Sequence, residues 1–223
     1  MRRLWLPAGL LAAALALAAS LWLFARDWRP SVSDYQFQGI DVSDADGVVD
    51  WTAVKAAGAD FAYLRATKGG ERDAQFEANW KGVADAGMRR GAIHAWSLCR
   101  LAADQANNFN TTVPVSDDAL PPAVEIDFID GCNDRPGREV VLEELRRFIV
   151  MVEQHSQRPV LLLVSKRFEA NYQVTAALDR PVWSAQNFFP PDYAARPWRM
   201  WRASDMRRID GVDGPVNWDV VTK

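Results

Sequence analysis

Cysteine is scarce in this chain, a surplus of positive charge is missing, and no stretch repeats itself. Each absence narrows the choice. A net charge of −3 provides no broad basic field, so nucleic acid is not an expected partner. No group of residues has the spacing of a metal cluster, and neither a metal nor any other cofactor is expected. Beyond the N-terminal apolar run there is no low-complexity segment. What is present is 223 residues with 49% apolar content, enough for one well-buried domain and a short appendage.

The appendage is the run Leu4 to Phe24, which carries no charge and, as a helix, spans roughly the 30 Å core of a bilayer. Arg2 and Arg3 precede it, which keeps the N-terminus cytoplasmic and exports the rest. Residues 1–30 are therefore expected to be a transmembrane anchor with its linker. A cleavable signal peptide is the alternative, because Ala16-Leu17-Ala18 provides small residues for cleavage, although the apolar run continues through Leu21, Trp22, Leu23 and Phe24. Both readings place the domain outside the cytoplasm, periplasmic or extracellular, anchored in the first case and secreted in the second.

The segment from Arg26 to Tyr35 is polar and suits a linker, leaving residues 36–223 as the domain. Extended apolar runs recur at Phe37–Val42, Phe61–Ala66, Gly91–Ser97, Ala123–Phe128, Pro159–Val164, Pro181–Ala185, Trp198–Ala203 and Val216–Val221. Asp50 can cap a helix over Trp51 to Ala57, and stripes at helical spacing run through Phe76, Trp80 and Val83, and through Val141, Leu145, Phe148 and Val152. Strands alternating with helices predict an α/β fold with a parallel sheet, and eight strands predict an irregular (β/α)8-type barrel. The last three connections are too short for full helices.

In such a barrel the chemistry lies at the C-terminal ends of the strands. Those ends present Asp41 and Ser43, Thr67 and Lys68, His94 and Trp96, Glu125 and Asp127, Ser165, Gln186, Trp201 and Asp205, and Asn217 and Asp219. Glu125 and Asp127 stand two apart on one strand, so they share a face, where carboxylates need pairing, water or a chemical role. A mouth with several carboxylates and many tryptophans suits sugars, whose C–H faces stack on rings and whose glycosidic bonds are broken by paired carboxyl groups. Each residue also has a structural reading: a core histidine for His94, packing for the tryptophans, a turn cap for Asp41, and arginine or amide partners for the acid pair.

The motifs, in order, are Gly39-Ile40-Asp41-Val42-Ser43, Val48-Val49-Asp50-Trp51, Phe61-Ala62-Tyr63-Leu64-Arg65-Ala66-Thr67, Asn79-Trp80, Gly91-Ala92-Ile93-His94, Leu120-Pro121-Pro122-Ala123-Val124-Glu125-Ile126-Asp127, Trp183-Ser184-Ala185-Gln186 and Gly214-Pro215-Val216-Asn217. With them, the chain resembles glycoside hydrolase family 25, the Chalaropsis-type lysozymes, over residues 37 to 221. The resemblance implies an irregular β/α barrel that cleaves the β-1,4 bond between N-acetylmuramic acid and N-acetylglucosamine in peptidoglycan glycan strands. It assigns Asp127, Glu125 and Asp41 to catalysis. Asp127 is the expected proton donor, kept protonated by the negative charge of Glu125 and Asp41 around it. Ser43, His94, Trp96, Gln186, Trp201, Asn217 and Asp219 are the expected substrate contacts.

The chain departs from the family at the same place. The family order is Asp-x-Glu with the Glu as donor, whereas here Glu125 precedes Asp127. One methylene moves between them, which sets the donor back by about 1.5 Å, a displacement that can cost on the order of a hundredfold in rate. Lys68 stands where a Glu is usual, Asp44 where a His is common, Leu within Leu161-Leu162-Leu163 where a Tyr is expected, and Asn217-Trp218-Asp219 inverts a usual Asp-x-Asn. An impaired barrel retained as a cell-wall glycan-binding module is therefore the alternative function, and a barrel hydrolase for another N-acetylated glycan a third. Cys99 and Cys132 fall in neighbouring loops on one rim of an exported domain, which predicts a disulfide, two unpaired thiols being the alternative.

Overall fold

In a computed structural model, residues 5–222 are described, so Arg2, Arg3 and Leu4 lie outside the described residues. Nine strands form one sheet that closes on itself: β1 (Gln38–Val42), β2 (Phe61–Lys68), β3 (Glu71–Arg72), β4 (Arg89–Ala95), β5 (Ala123–Ile126), β6 (Leu161–Val164), β7 (Val182–Ala185), β8 (Trp198–Arg207) and β9 (Val216–Val221). Their order is β1-β9-β8-β7-β6-β5-β4-β2-β3, and parallel pairing of β1 with β2 closes an eight-stranded barrel with β3 appended to β2. The eight predicted strands all occur. β9, however, runs antiparallel to both of its neighbours, so the sheet is mixed rather than all-parallel. Only eight residues separate β8 from β9, too few for the helical crossover a parallel connection requires.

Helices α2 (Trp51–Ala56), α3 (Phe76–Asp85), α4 (Ala102–Thr112), α5 (Arg138–Ser156), α6 (Lys166–Tyr172) and α7 (Val174–Ala177) cover the wall. Asp50 caps α2, accepting from the amides of Thr52 and Ala53. Phe76, Trp80, Val83, Val141, Leu145, Phe148 and Val152 face the barrel from their helices, together with Ile40, Leu64, Val124 and Leu162 from alternate strand positions. The opposite strand phase fills the interior with Phe61, Tyr63, Ile93, Leu161, Leu163, Trp183 and Met200. Gly91 makes room for this filling, since a Cβ there would stand 2.3 Å from the Tyr63 ring.

Helix α1 (Trp5–Asp27) precedes the barrel. Its 23 residues reach about 34 Å at 1.5 Å per residue, so by length and composition it is able to cross a membrane. The segment after it is not a free linker. It packs on the outer face of β8. Trp28 and Tyr35 stack edge-on against Trp201 at 6.3 and 5.9 Å, and Gln38 donates to the carbonyls of Pro30 and Tyr35.

Candidate active site

The topmost interior layer is polar. Inward phase on β1, β2, β5, β8 and β9 places Asp41, Arg65, Glu125, Arg202, Asn217 and Asp219 together above Trp183. Arg202 is central. Its Nε and Nη2 both donate to Asp41 at 2.8 Å, its Nη1 donates to Glu125 at 3.1 Å, and its guanidinium lies 5.8 Å from the centre of the Trp183 ring. Arg65 donates to the other Glu125 oxygen at 3.1 Å, Asn217 to Asp41 at 2.9 Å, and the Trp183 indole to Asp219 at 3.1 Å.

Charge within this layer is nearly balanced. Burial lifts Asp219 well above the usual carboxylate range, and the charge of Asp41 adds to the rise. Its Oδ2 is buried and has no hydrogen-bond partner among the described residues. Burial likewise lifts Asp41, although Arg202 opposes it. For Glu125 burial alone would raise the carboxyl, but the charges of Arg202 and Arg65, with their hydrogen bonds, outweigh it and hold Glu125 below the ordinary glutamate value. Burial would weaken the Arg202 cation, and the three acids around it more than restore it. Asp41 and Glu125 thus face the two guanidiniums.

Asp127 stands apart from this layer. The strand ends at Ile126, one residue before Asp127, whose side chain is 39% exposed at the rim. Its Oδ1 accepts from Ser165 Oγ and the Phe128 amide, both at 2.7 Å, and from Arg167 at 3.3 Å. The negative charge of Glu125 and Asp41 was expected to crowd around Asp127. Instead a cation and two neutral donors meet it, and the two carboxylates are turned to Arg202.

Five of the expected substrate contacts, His94, Trp96, Trp201, Ser43 and Asp219, are buried. His94 is inaccessible, its ring stacked on Phe148 at 4.8 Å and held between Thr67 Oγ1 and Gln105 Oε1. Burial lowers its pKa to about 4 against the lift from Gln105, so it is a neutral wall residue. Trp96 packs on the same Phe148, and Trp201 lies beneath Trp28 and Tyr35, so both face out of the barrel and have no surface for a glycan. Ser43 is buried and hydrogen-bonded to Asp46. Gln186 remains on the rim, donating to the carbonyls of Phe189 and Pro190. Cys99 and Cys132 are joined in a disulfide, with Cα atoms 5.7 Å apart, between the loops that follow β4 and β5.

Sequence reasoning passed over Arg65 and Arg202. Arg65 interrupts the apolar run Phe61–Ala66 and Arg202 the run Trp198–Ala203, positions that demand a buried counter-charge, and that was the available signal.

The model for glycosyl hydrolases family 25 matches residues 40–212. A family 25 glycosyl hydrolase from Bacillus anthracis superposes with a TM-score of 0.78 at 26% identity, covering 86% of this chain and 91% of that one. A bacterial lysozyme from Streptomyces coelicolor gives a TM-score of 0.74 at 25% identity, over 83% and 91% of the two chains. YegX of Escherichia coli, a protein described as uncharacterized, is 28% identical over 195 residues, 84% of this chain and 70% of its own length. With the family match spanning most of the barrel and the carboxylates gathered at the strand ends, this chain belongs to glycosyl hydrolases family 25.

Proposed function

We propose that the protein hydrolyses peptidoglycan, cleaving the β-1,4 bond between N-acetylmuramic acid and N-acetylglucosamine, with Asp127 as proton donor. The observation that carries this reading is the division of labour among the acids. Asp127 is the most accessible of the three, at the rim with its hydrogen-bond partners on Oδ1, while Asp41 and Glu125 are held beneath by Arg202. A donor at the mouth reaches a glycosidic oxygen, with the acid–arginine layer held fixed below it. Ser165 and Arg167 orient the donor. Asp127→Asn keeps the shape and removes the transferable proton, so release of reducing ends from purified peptidoglycan should fall by about 10² to 10⁴-fold with folding unchanged. Undiminished release would remove Asp127 from the role.

A second reading has its own observation. Arg202 fills the space between Asp41 and Glu125 and satisfies both, an arrangement that suits a retained glycan-binding module as well as an enzyme. Co-sedimentation with peptidoglycan, without release of reducing ends by the unaltered protein, would decide for that reading.

A further inference from the structure

The rim that bears Asp127 and Arg202 is also the rim where α1 meets the barrel. The C-terminal end of β8 holds the end of that helix: the Arg208 amide donates to the Arg26 carbonyl at 2.9 Å, and Arg207 Nη1 donates to the Asp27 carbonyl at 2.5 Å. From the loop after β7, Phe188 packs on Phe24 at 6.4 Å and on Trp28 at 5.2 Å. Ala25 is buried there, whereas residues 9–24 are exposed throughout, so the helix leaves the barrel at this point and does not lie along it. The segment after Trp28 then descends the outer wall to Gln38 at the opposite end, and the contacts of Tyr35 with Trp198 and Trp201, with the bond from Gln38 to the Pro30 carbonyl, fix the barrel against the helix.

Beside this junction stands Phe189, 71% exposed and held outward by the Gln186 side chain on its carbonyl, with Met206 exposed at the end of β8. An exposed aromatic next to the end of an apolar span has one natural medium, the boundary between headgroups and acyl chains. We propose that the loop around Phe189 is a lipid-contact surface, and that the barrel mouth therefore opens at the membrane onto membrane-proximal glycan. The second half rests on the reading of this rim as the glycan-cleaving mouth. The first half rests on geometry and on the anchor remaining attached.

The test uses the full chain in vesicles of phosphatidylethanolamine and phosphatidylglycerol, without glycan, so its outcome is independent of the hydrolase reading. Cys99 and Cys132 are paired, which leaves an introduced cysteine as the site for an environment-sensitive fluorophore. Phe189→Cys reports on the rim, and Asp179→Cys reports on the opposite end of the barrel, in the turn before β7. The expected result is blue-shifted emission at 189 that is quenched by spin-labelled lipid, with 179 unshifted and unquenched. A water-like signal at 189, or equal quenching at both sites, overturns the orientation. Failure of the protein to float with the vesicles overturns the span and the proposal with it.

Discussion

Replacing Arg202 by Met tests the polar layer directly. The change keeps an unbranched side chain of similar bulk and deletes three charge-assisted hydrogen bonds, two to Asp41 and one to Glu125. Glu125 keeps Arg65 and Asp41 keeps only Asn217, so the loss falls mainly on Asp41. Stripping one partner from a buried ion pair costs about 3 to 5 kcal/mol, and this loss is expected at pH 7. Its pH dependence identifies the cause. In the variant the Asp41 carboxyl, uncompensated, rises further above its unfolded value, so the folded state binds the extra proton. Stability of that kind is fully present below the unfolded pKa, near 4, and is lost as pH rises through the folded value. The deficit relative to the parent should therefore narrow toward pH 4 and be complete at pH 7. Urea unfolding followed by tryptophan fluorescence at the two pH values measures it. A deficit below about 1 kcal/mol at pH 7, or one that does not change with pH, would refute the charge argument.

Other outcomes follow from the same contacts. His94, lowered to about 4 by burial, refuses a proton that the unfolded chain accepts below its ordinary value of 6.5. Stability is then whole above 6.5 and lost by about 3 kcal/mol as pH falls toward 4, and His94→Gln should flatten that slope in unfolding titrations. Reduction of the Cys99–Cys132 bridge, which spans 33 residues, should cost about 3 to 4 kcal/mol in the chain-entropy model. Two free thiols in the unfolded, unreduced protein would rule the bridge out. A chain beginning at Ser31 should be less stable than one beginning at Arg26 by about 2 kcal/mol, because Trp28 is lost from the β8 wall, and equal midpoints in urea would contradict the packing.

The barrel was legible because its strands are apolar runs separated by turn residues and helical stripes, and all eight stand where the runs are. Facing was harder to read. A strand buried on both sides has no alternation to show which phase points inward. On β8 large apolar residues occupy both faces beside Arg199 and Arg202, so Trp201 was chosen for the mouth although it points outward and Arg202 points in. The same phase error placed His94 and Trp96 in the site. On β9 the acid and amide at 217 and 219 share one phase against Val216, Trp218 and Val220, and there the inward face was read correctly. Helix α4 left little trace, since its buried face is Ala102, Gln105, Ala106 and Phe109. The antiparallel course of β9 depended on the length of one turn.

The reversed last strand also sets the order in which the barrel can assemble. β1 finds its parallel partner β2 about twenty residues away, yet its other edge waits for β9, and Asp41 meets Arg202 and Asn217 across 161 and 176 residues of chain. Contacts of such separation form late, because loop closure has to precede any gain from them. During synthesis and export, β1 through β7 can lay down most of the wall while Asp41 remains without its cation and the edge of β1 stays open. The ion pairs at the mouth and the seam of the barrel are therefore completed in one event, the arrival of β8 and β9, so a chain caught before it has neither a closed wall nor a working charge layer.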